Sequence, residues 1–242
     1  MFFSDIHVHL LYGADDGAKT PEEMYAMADK LYADGVRFIC ATPHCYPQWC
    51  GDNRISIENA FSRLCEYCAQ KYPDLKITLG NELYFERDGM TWIKNGFCKT
   101  MNGTRYILVE FPVDETEDNI TKAVQSMLNA GYVPVIAHTE RYIKLSIKKI
   151  KEFHQSGVVI QINARRDLCG FDFIEKFRLK RLLSLELADV VSTDAHDLGE
   201  RAPYILEFYN IVSKKYGVGY AEKIFCTNAE MMLCNGNGEE RK

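Results

Sequence analysis

The 242-residue sequence has no apolar run long enough to span a lipid bilayer, and no basic stretch followed by an apolar leader opens it. It also lacks an excess of basic residues, because its formal net charge is −5. Nucleic-acid-binding domains usually carry a basic surface. We therefore expect no stable membrane insertion and no nucleic-acid partner. The sequence leaves the oligomeric state open.

A disulfide framework is also missing. The chain has nine cysteines, an odd number, at scattered positions. This usage is typical of reduced thiols inside a cell rather than of a secreted, cross-linked domain. We therefore expect a cytoplasmic protein.

Short β-rich segments alternate with amphipathic helical segments along the chain. The first helix is the best marked, with Thr20 as N-cap, Pro21 as first helical residue and Glu23 as the partner in a capping box. Strict alternation of β and α units predicts a parallel sheet and an α/β fold. The predicted strands cover residues 2–8, 36–42, 76–81, 105–109, 132–137, 158–163 and 188–193.

Seven such units without a glycine-rich nucleotide loop favour a distorted seven-stranded (β/α)7 TIM-like barrel over an open doubly wound sheet. Pro134 within the fifth strand is accommodated only at a bulge or a strand start, because proline cannot donate to a ladder. Further helices are predicted at about residues 55–71, 147–155, 173–187 and 202–216. We expect residues 1–234 to form one domain and residues 235–242 a flexible tail.

Potential metal ligands follow nearly every predicted strand. In a parallel barrel the C-terminal ends of the strands converge on one face, where active sites are built. Five of the six histidines lie at such positions, and the exception, His154, is assigned to an ordinary surface or hydrogen-bonded role. Nine candidates are too many for one ion, and imidazole with carboxylate suits Zn, Mn or Fe. The candidates are His7, His9, Asp16, His44, Glu82, Glu110, His138, Asp194 and His196.

The motifs at these positions resemble those of a known superfamily. The motifs are His-x-His, Asp-Asp-Gly, Thr-Pro-His, a strand-end Glu, His-x-Glu-Arg-Tyr and Ser-Thr-Asp-Ala-His. Together they are similar to the polymerase-and-histidinol-phosphatase (PHP) superfamily. Within it, the sequence most resembles the bacterial protein-tyrosine phosphatases of capsule and exopolysaccharide operons, over essentially the whole chain.

The resemblance implies a PHP-type barrel that holds three divalent metals, most often manganese, with Fe, Zn or Mg as alternatives. It implies that Arg141 and Arg201 lie near the phosphate. Residues 45–53, expected to be a loop that includes Cys45 and Cys50, match no fixed family pattern. Tyr142 is expected only to pack beneath the site. Carried over by motif, the first metal would take His7, His9, Glu82 and Asp194; the second Glu82, Glu110 and His138; and the third Asp16, His44 and His196.

The implied reaction is phosphomonoester hydrolysis, in which a metal-bridging hydroxide attacks phosphorus in line and arginine forks hold the remaining oxygens. The implied substrate is a phosphotyrosine protein, such as the tyrosine-rich tail of a capsule-assembly kinase. A cysteine-based phosphatase is excluded, because no cysteine is followed by arginine after five intervening residues. The alternatives are a small-molecule phosphatase such as a histidinol phosphatase, a metal-dependent nuclease, and a metal-binding regulatory module without turnover.

Overall fold

The computed structural model describes residues 2–166 and 173–234. Strands and helices alternate through the described residues, which contain nine short strands. The strands are β1 (Phe3–Val8), β2 (Val36–Ala41), β3 (His44–Cys45), β4 (Lys76–Leu79), β5 (Glu82–Tyr84), β6 (Tyr106–Glu110), β7 (Val133–Ile136), β8 (Val159–Asn163) and β9 (Val190–Ser192).

Ten α-helices lie in the same described ranges, and a π-helical turn at Lys223–Thr227 joins the last two. None of them is both long and apolar enough to cross a membrane. The helices are α1 (Pro21–Ala33), α2 (Pro47–Cys50), α3 (Arg54–Lys71), α4 (Gly89–Lys94), α5 (Glu117–Asn129), α6 (Ile147–Gln155), α7 (Phe173–Ser184), α8 (Ile205–Tyr216), α9 (Val218–Glu222) and α10 (Asn228–Cys234).

All strand pairs are parallel, as predicted. One sheet has the order β1-β2-β4 and the other β3-β5-β6-β7-β8-β9. A single parallel bridge between Val8 and Ala195 links the first strand to the segment after the last one. The α/β class is therefore confirmed, and the C-terminal ends of the strands share one side.

The predicted count of seven strands is not confirmed, because two of the predicted strands are interrupted. Pro43 separates β2 from β3, and it has no N–H to continue a ladder. The amide of Asn81, between β4 and β5, donates to the carbonyl of Lys99 instead of to a strand. The ladder resumes where His44 pairs with Glu82.

Helix α1 shows how local signals and burial agree. The Thr20 hydroxyl accepts a hydrogen bond from the Glu23 amide at 3.2 Å, and Pro21 opens the helix. The Glu23 carboxylate accepts from the amide of Lys19 at 2.6 Å, one residue before the expected partner. The helix buries the side chains of residues 24, 27, 28 and 31, and each fully buried large apolar side chain contributes roughly 1.5–3 kcal/mol.

Strands β1 and β8 are buried along their whole length, on both faces, as strands of a covered parallel sheet are. Ile6, Leu108 and Val190 belong to an inner cluster that also contains three residues of α10. Tyr106 and Val133, the first residues of β6 and β7, pack against the same cluster. Helix α10 therefore covers the N-terminal end of the strands, and the C-terminal ends are left for the functional site.

Several elements were not predicted, chiefly the short helices α2, α4, α9 and α10. Helix α2 lies in the segment of residues 45–53 that was expected to be a loop. Pro134 is the second residue of β7, and pairing with β8 begins only at Val135, so the strand-start expectation is met. The predicted tail, residues 235–242, lies outside the described residues.

Candidate metal centre

Glu82 lies at the centre of a buried cluster at the C-terminal ends of the strands. Its carboxylate oxygens lie 3.1 Å from His7 Nε2 and 3.2 Å from His9 Nε2. They also lie 3.2 Å from His44 Nδ1 and 3.3 Å from His138 Nε2. One buried carboxylate thus contacts four imidazoles, which come from the ends of three different strands and the loop that follows β1.

Two aspartates extend the cluster to the other side. Asp194 Oδ1 lies 3.4 Å from His7 Nε2 and 3.6 Å from His196 Nδ1. Asp16 Oδ1 lies 3.2 Å from His196 Nε2 and 3.5 Å from His44 Nε2. The sequence separation of these residues is large, so only the fold brings them together.

Glu110 completes the set, because its Oε1 lies 3.3 Å from His138 Nε2. All nine predicted ligands therefore belong to one connected cluster of side chains. Two histidines also lie close to a ligand that the sequence assigned to a different ion. His9 lies close to Asp16, and His44 lies close to Glu110. The groups whose ligand atoms all lie within 4.8 Å of one another are His9, Asp16, His44 and His196; His7, His9 and Asp194; and His44, Glu82 and Glu110.

A second layer of residues orients the imidazole rings. Asp15 Oδ2 lies 2.7 Å from His9 Nδ1, and Gln161 Oε1 lies 3.1 Å from His7 Nδ1. With Nδ1 engaged, Nε2 of each ring faces the centre of the cluster. This arrangement fixes ring orientation in metal sites, where outer partners raise the basicity of the ligands.

Sequence analysis missed the roles of Asp15 and Gln161. A usable signal existed for each: Asp15 precedes a predicted ligand, and Gln161 is a polar residue inside an apolar strand. Tyr142 was expected only to pack beneath the site, and it is fully buried there. Its hydroxyl accepts a hydrogen bond from the Phe111 amide at 3.0 Å and lies 3.4 Å from His138 Nδ1.

The backbone is constrained at three points of the cluster. His138 and Asp194 have φ angles of 32° and 50°, in a region that costs a non-glycine residue of order 1 kcal/mol or more. A Cβ atom on Gly17 would lie only 2.1 Å from the carbonyl oxygen of His9. The loop after β1 can therefore approach the strand only because residue 17 is glycine.

In this largely buried cluster, negatively charged carboxylates face imidazoles that can carry positive charge. Burial by itself would raise the pKa of Glu82, but the charges on His7 and His44 hold that pKa well below its usual range. Burial would likewise lower the pKa of His138, yet close contacts with the carboxylates of Glu110 and Glu82 outweigh it and raise that pKa to about 9. Without a cation, protonated histidines supply the positive charge that the carboxylates need.

Hydrogen bonding leaves part of the cluster unsatisfied. Glu82 Oε1, Asp16 Oδ1 and His196 Nε2 are buried and form no hydrogen bond of acceptable geometry with residues 2–166 or 173–234. Each lies within 3.3 Å of an opposing ring nitrogen or carboxylate oxygen. Buried polar atoms are normally paired. Oxygen and nitrogen atoms that point toward one another without a donor between them are arranged as ligands for divalent cations. This mixture of imidazole and carboxylate suits Mn, Fe or Zn.

The two predicted phosphate-binding arginines line a cavity of about 370 Å³ above the cluster. The Arg201 guanidinium lies 3.3 Å from Asp16 Oδ2 and 3.2 Å from Asp194 Oδ1. Arg141 lies 3.9 Å from Glu110 Oε1. Both cations are partly exposed at the rim, so each can reach an anion that enters the cavity.

An aromatic rim also lines this cavity. The rings of Tyr46 and Tyr84 stack with centroids 4.5 Å apart, and Trp49 meets His44 edge-on at 5.3 Å. Trp49 lies in α2 and is 54% exposed. Asn53 anchors this segment by donating to the carbonyls of Ala14 and His44. The segment that matched no family pattern thus supplies one wall of the cavity.

Comparison with known proteins identifies the relatives of this chain. The family model described as "Capsular polysaccharide synthesis, CpsB/CapC" matches residues 3–234. The tyrosine-protein phosphatase CpsB of Streptococcus pneumoniae is 32% identical over 236 residues, which cover 95% of this chain and 97% of the relative. This chain belongs to the CpsB/CapC family. The predicted resemblance is thereby confirmed.

Solved structures agree with this membership. Crystal structures of YwqE from Bacillus subtilis and CpsB from S. pneumoniae are described as unique metal-dependent tyrosine phosphatases. One chain of these structures matches this chain with a TM-score of 0.84 at 26% identity. The match covers 98% of this chain and 96% of the matched chain. A phosphotriesterase homology protein from Escherichia coli, at 11% identity, has a TM-score of 0.62 over 96% of this chain and 98% of its own; it shares the fold alone.

Not every chemically suggestive residue of this family member lies in the cluster. His154, on α6, lies outside it, with Nδ1 3.1 Å from Asp189 Oδ2. This pairing agrees with the ordinary hydrogen-bonded role expected for it. Cys45 lies in β3 and Cys50 in α2, not in a loop, and the Cys50 thiol donates to the carbonyl of Tyr46.

Proposed function

We propose that this chain is a metal-dependent protein-tyrosine phosphatase of capsular or exopolysaccharide synthesis. The observation that carries the proposal is the convergence of nine imidazole and carboxylate ligands beneath a cavity lined by two arginines and an aromatic rim. A store for metal ions needs neither of these walls. The relatives named as tyrosine-protein phosphatases cover nearly the whole chain.

We propose three divalent ions, most readily Mn²⁺, with Fe, Zn or Mg as the alternatives. The ligand sets are those that the sequence predicted, with Glu82 shared between the first two ions. The unpaired Glu82 Oε1, Asp16 Oδ1 and His196 Nε2 support this set. When bound, such ions neutralise phosphoryl oxygens and lower the pKa of water.

The protein's own side chains position the substrate. Arg141 and Arg201 present guanidinium forks, which match the geometry of phosphoryl oxygens and can bind them bidentately. The stacked rings of Tyr46 and Tyr84, with Trp49, form an apolar wall suited to a phenyl ring. The leaving phenol has a pKa of about 10, so its departure needs less proton donation than that of an alkoxide.

We also propose the finer features that the sequence predicted. In this proposal the two sheets act as one distorted seven-stranded barrel, residues 1–234 form its single domain, and residues 235–242 form a tail. The protein acts in the cytoplasm, and its substrate is the phosphorylated tyrosine-rich tail of a capsule-assembly kinase. The Val8–Ala195 bridge, which links the first and last units, supports the barrel.

The test is hydrolysis by Mn-loaded protein of four substrates: a phosphotyrosine peptide, the same peptide with phosphoserine, histidinol phosphate and single-stranded DNA. We expect phosphotyrosine to be the best substrate by kcat/KM and chelation to remove the activity. Preference for histidinol phosphate would indicate a small-molecule phosphatase, and preference for DNA a nuclease. No hydrolysis of any of the four would leave a metal-binding module as the function.

A further inference from the structure

A second cavity, of about 390 Å³, opens beside the first. One wall is the segment of residues 85–90 between β5 and α4. The other is a face of α5 that carries Lys122 and Ala123. Phe85, Met90 and Phe111 give the cavity an apolar floor. We call this cavity the side groove.

Residues that line the side groove are hydrogen-bonded to residues that line the candidate catalytic cavity. The Tyr46 hydroxyl, in the aromatic rim, donates to the carboxylate of Glu86 at 3.0 Å, and Glu86 lines the side groove. The Phe85 amide donates to the carbonyl of Glu110 at 2.8 Å, so the groove floor is joined to a proposed ligand. An extended peptide advances about 3.3 Å per residue. A neighbour of a bound phosphotyrosine therefore reaches the groove within a few residues.

The acidic and basic residues of the side groove differ in whether they form hydrogen bonds with other residues. The acid Glu86 is engaged by Tyr46, and Glu115 caps α5 by accepting from the Thr116 amide at 2.7 Å and the Asn119 side chain at 2.9 Å.

The two cations differ from these acids. Arg87 and Lys122 are exposed, and neither forms a hydrogen bond or ion pair with any residue in the described ranges 2–166 and 173–234. The groove thus offers unpaired positive charge above an apolar floor.

We propose that the side groove is a substrate subsite for an acidic side chain close to the phosphotyrosine. The inference rests on the proposed phosphatase function and adds to it a rule of substrate choice. The methylene part of the acidic residue would pack on Phe85 and Met90, and its anion would lie between Arg87 and Lys122. A carboxylate or a second phosphate satisfies the same two cations. Exposed ion pairs are worth little each, so we expect a combined preference of roughly three- to tenfold.

The test uses the Mn-loaded full-length protein and two kinds of substrate. p-Nitrophenyl phosphate is too small to reach the side groove and reports only the catalytic cavity. A phosphotyrosine peptide with alanine neighbours is compared with peptides that carry one Glu, one Lys or a second phosphotyrosine at each of three positions on either side. In the wild-type protein, Glu on one side should raise kcat/KM, and Lys there should lower it.

Charge reversal makes the prediction specific. The R87E/K122E variant should reverse the preference, so that the Lys peptide is hydrolysed faster than the Glu peptide, while turnover of p-nitrophenyl phosphate is unchanged. The matched control is Lys151→Glu, which changes an exposed lysine on α6 that forms no hydrogen bond or ion pair with the residues the structure describes. This control should keep the wild-type preference. A larger effect of a second phosphotyrosine than of Glu would identify phosphate as the preferred anion.

Three outcomes would overturn the inference. The peptide series could be flat while p-nitrophenyl phosphate is hydrolysed, which contradicts the side groove alone. The R87E/K122E variant could keep the preference for Glu, which assigns that preference to other cations. The wild-type protein could hydrolyse neither p-nitrophenyl phosphate nor any peptide, which contradicts the proposed function and with it the subsite.

Discussion

Two dense polar clusters of this molecule differ in their supply of hydrogen-bond donors. On the surface, Asp29 of α1 accepts from the hydroxyls of Tyr67 and Tyr72, each at 2.8 Å, and from the Lys71 ammonium at 2.7 Å. In the interior, the carboxylate of Glu82 faces imidazoles, and one of its oxygens has no hydrogen bond. Both carboxylate oxygens of Asp29 accept hydrogen bonds from neighbouring side chains, whereas the Glu82 carboxylate has too few donors around it.

The comparison separates structural from functional polar clusters. The Asp29 cluster joins α1 to α3 and is partly exposed, so water can replace any of its bonds. The Glu82 carboxylate is 1% exposed, and an unpaired charge in such a buried place is costly. A buried cluster of carboxylates and imidazoles with too few hydrogen-bond donors is stabilised strongly when it binds divalent cations. We expect perturbation of the Glu82 cluster to remove activity and perturbation of the Asp29 cluster to change activity and stability little.

The largest expected effect is on turnover. His138→Ala removes the imidazole that lies between Glu82 and Glu110, and kcat/KM on a phosphotyrosine peptide should fall by more than about a hundredfold, the upper loss seen when even an outer partner of a ligand is removed. His44→Ala should behave in the same way. Bound metal, measured by elemental analysis, should fall as well.

Circular dichroism should show that both variants remain folded. Asp29→Asn is the matched control and should retain wild-type turnover. A fully active His138→Ala protein would contradict the assignment of this site.

A smaller effect concerns the metal-free protein and pH. The pKa of His138 is raised from 6.5 to about 9, so its stabilisation is complete below pH 6.5 and is lost as pH rises through 9. His7 and His9 shift in the same direction. The free energy of unfolding of chelated protein should therefore fall by roughly 3 kcal/mol from pH 6.5 to 9.5.

Urea unfolding with a chelator measures this slope. The Mn-loaded protein should not show it, because cations bind deprotonated imidazoles and gain affinity as pH rises. Metal-free His138→Ala should give a shallower slope than wild type. Equal slopes for the two metal-free proteins would refute the assigned role of His138.

The smallest effect is expected on the surface. Asp29→Asn keeps the shape of the side chain but removes its charge, and exposed ion pairs contribute about 0–1 kcal/mol. Thermal unfolding of the metal-loaded protein should therefore change little. A loss of more than about 3 kcal/mol would mean that the Asp29 cluster is as critical to the fold as the buried one.

Much of the site was predictable because of strand polarity. Parallel strands align their C-terminal ends, so ligands that follow different strands must meet, and His7, Glu82 and Asp194 do meet. The interruptions at Pro43 and Asn81 were not predictable, because hydrophobic periodicity does not record where one ladder stops and the next begins. The aromatic rim was missed for a related reason: Trp49 lies in a four-residue helix with no periodic pattern of its own.

The sequence by itself determined the alternation of strands and helices, the caps that begin them and the residue types available for metal binding, since each of these is encoded within a few neighbouring positions. Tertiary structure alone decided which carboxylate oxygens lack a donor, that Asp15 and Gln161 turn the imidazoles inward, and that Arg87 and Lys122 have no ion-pair partner in the described part of the chain. These properties depend on distances between residues far apart in the chain, and only the folded barrel-like arrangement of strands fixes those distances.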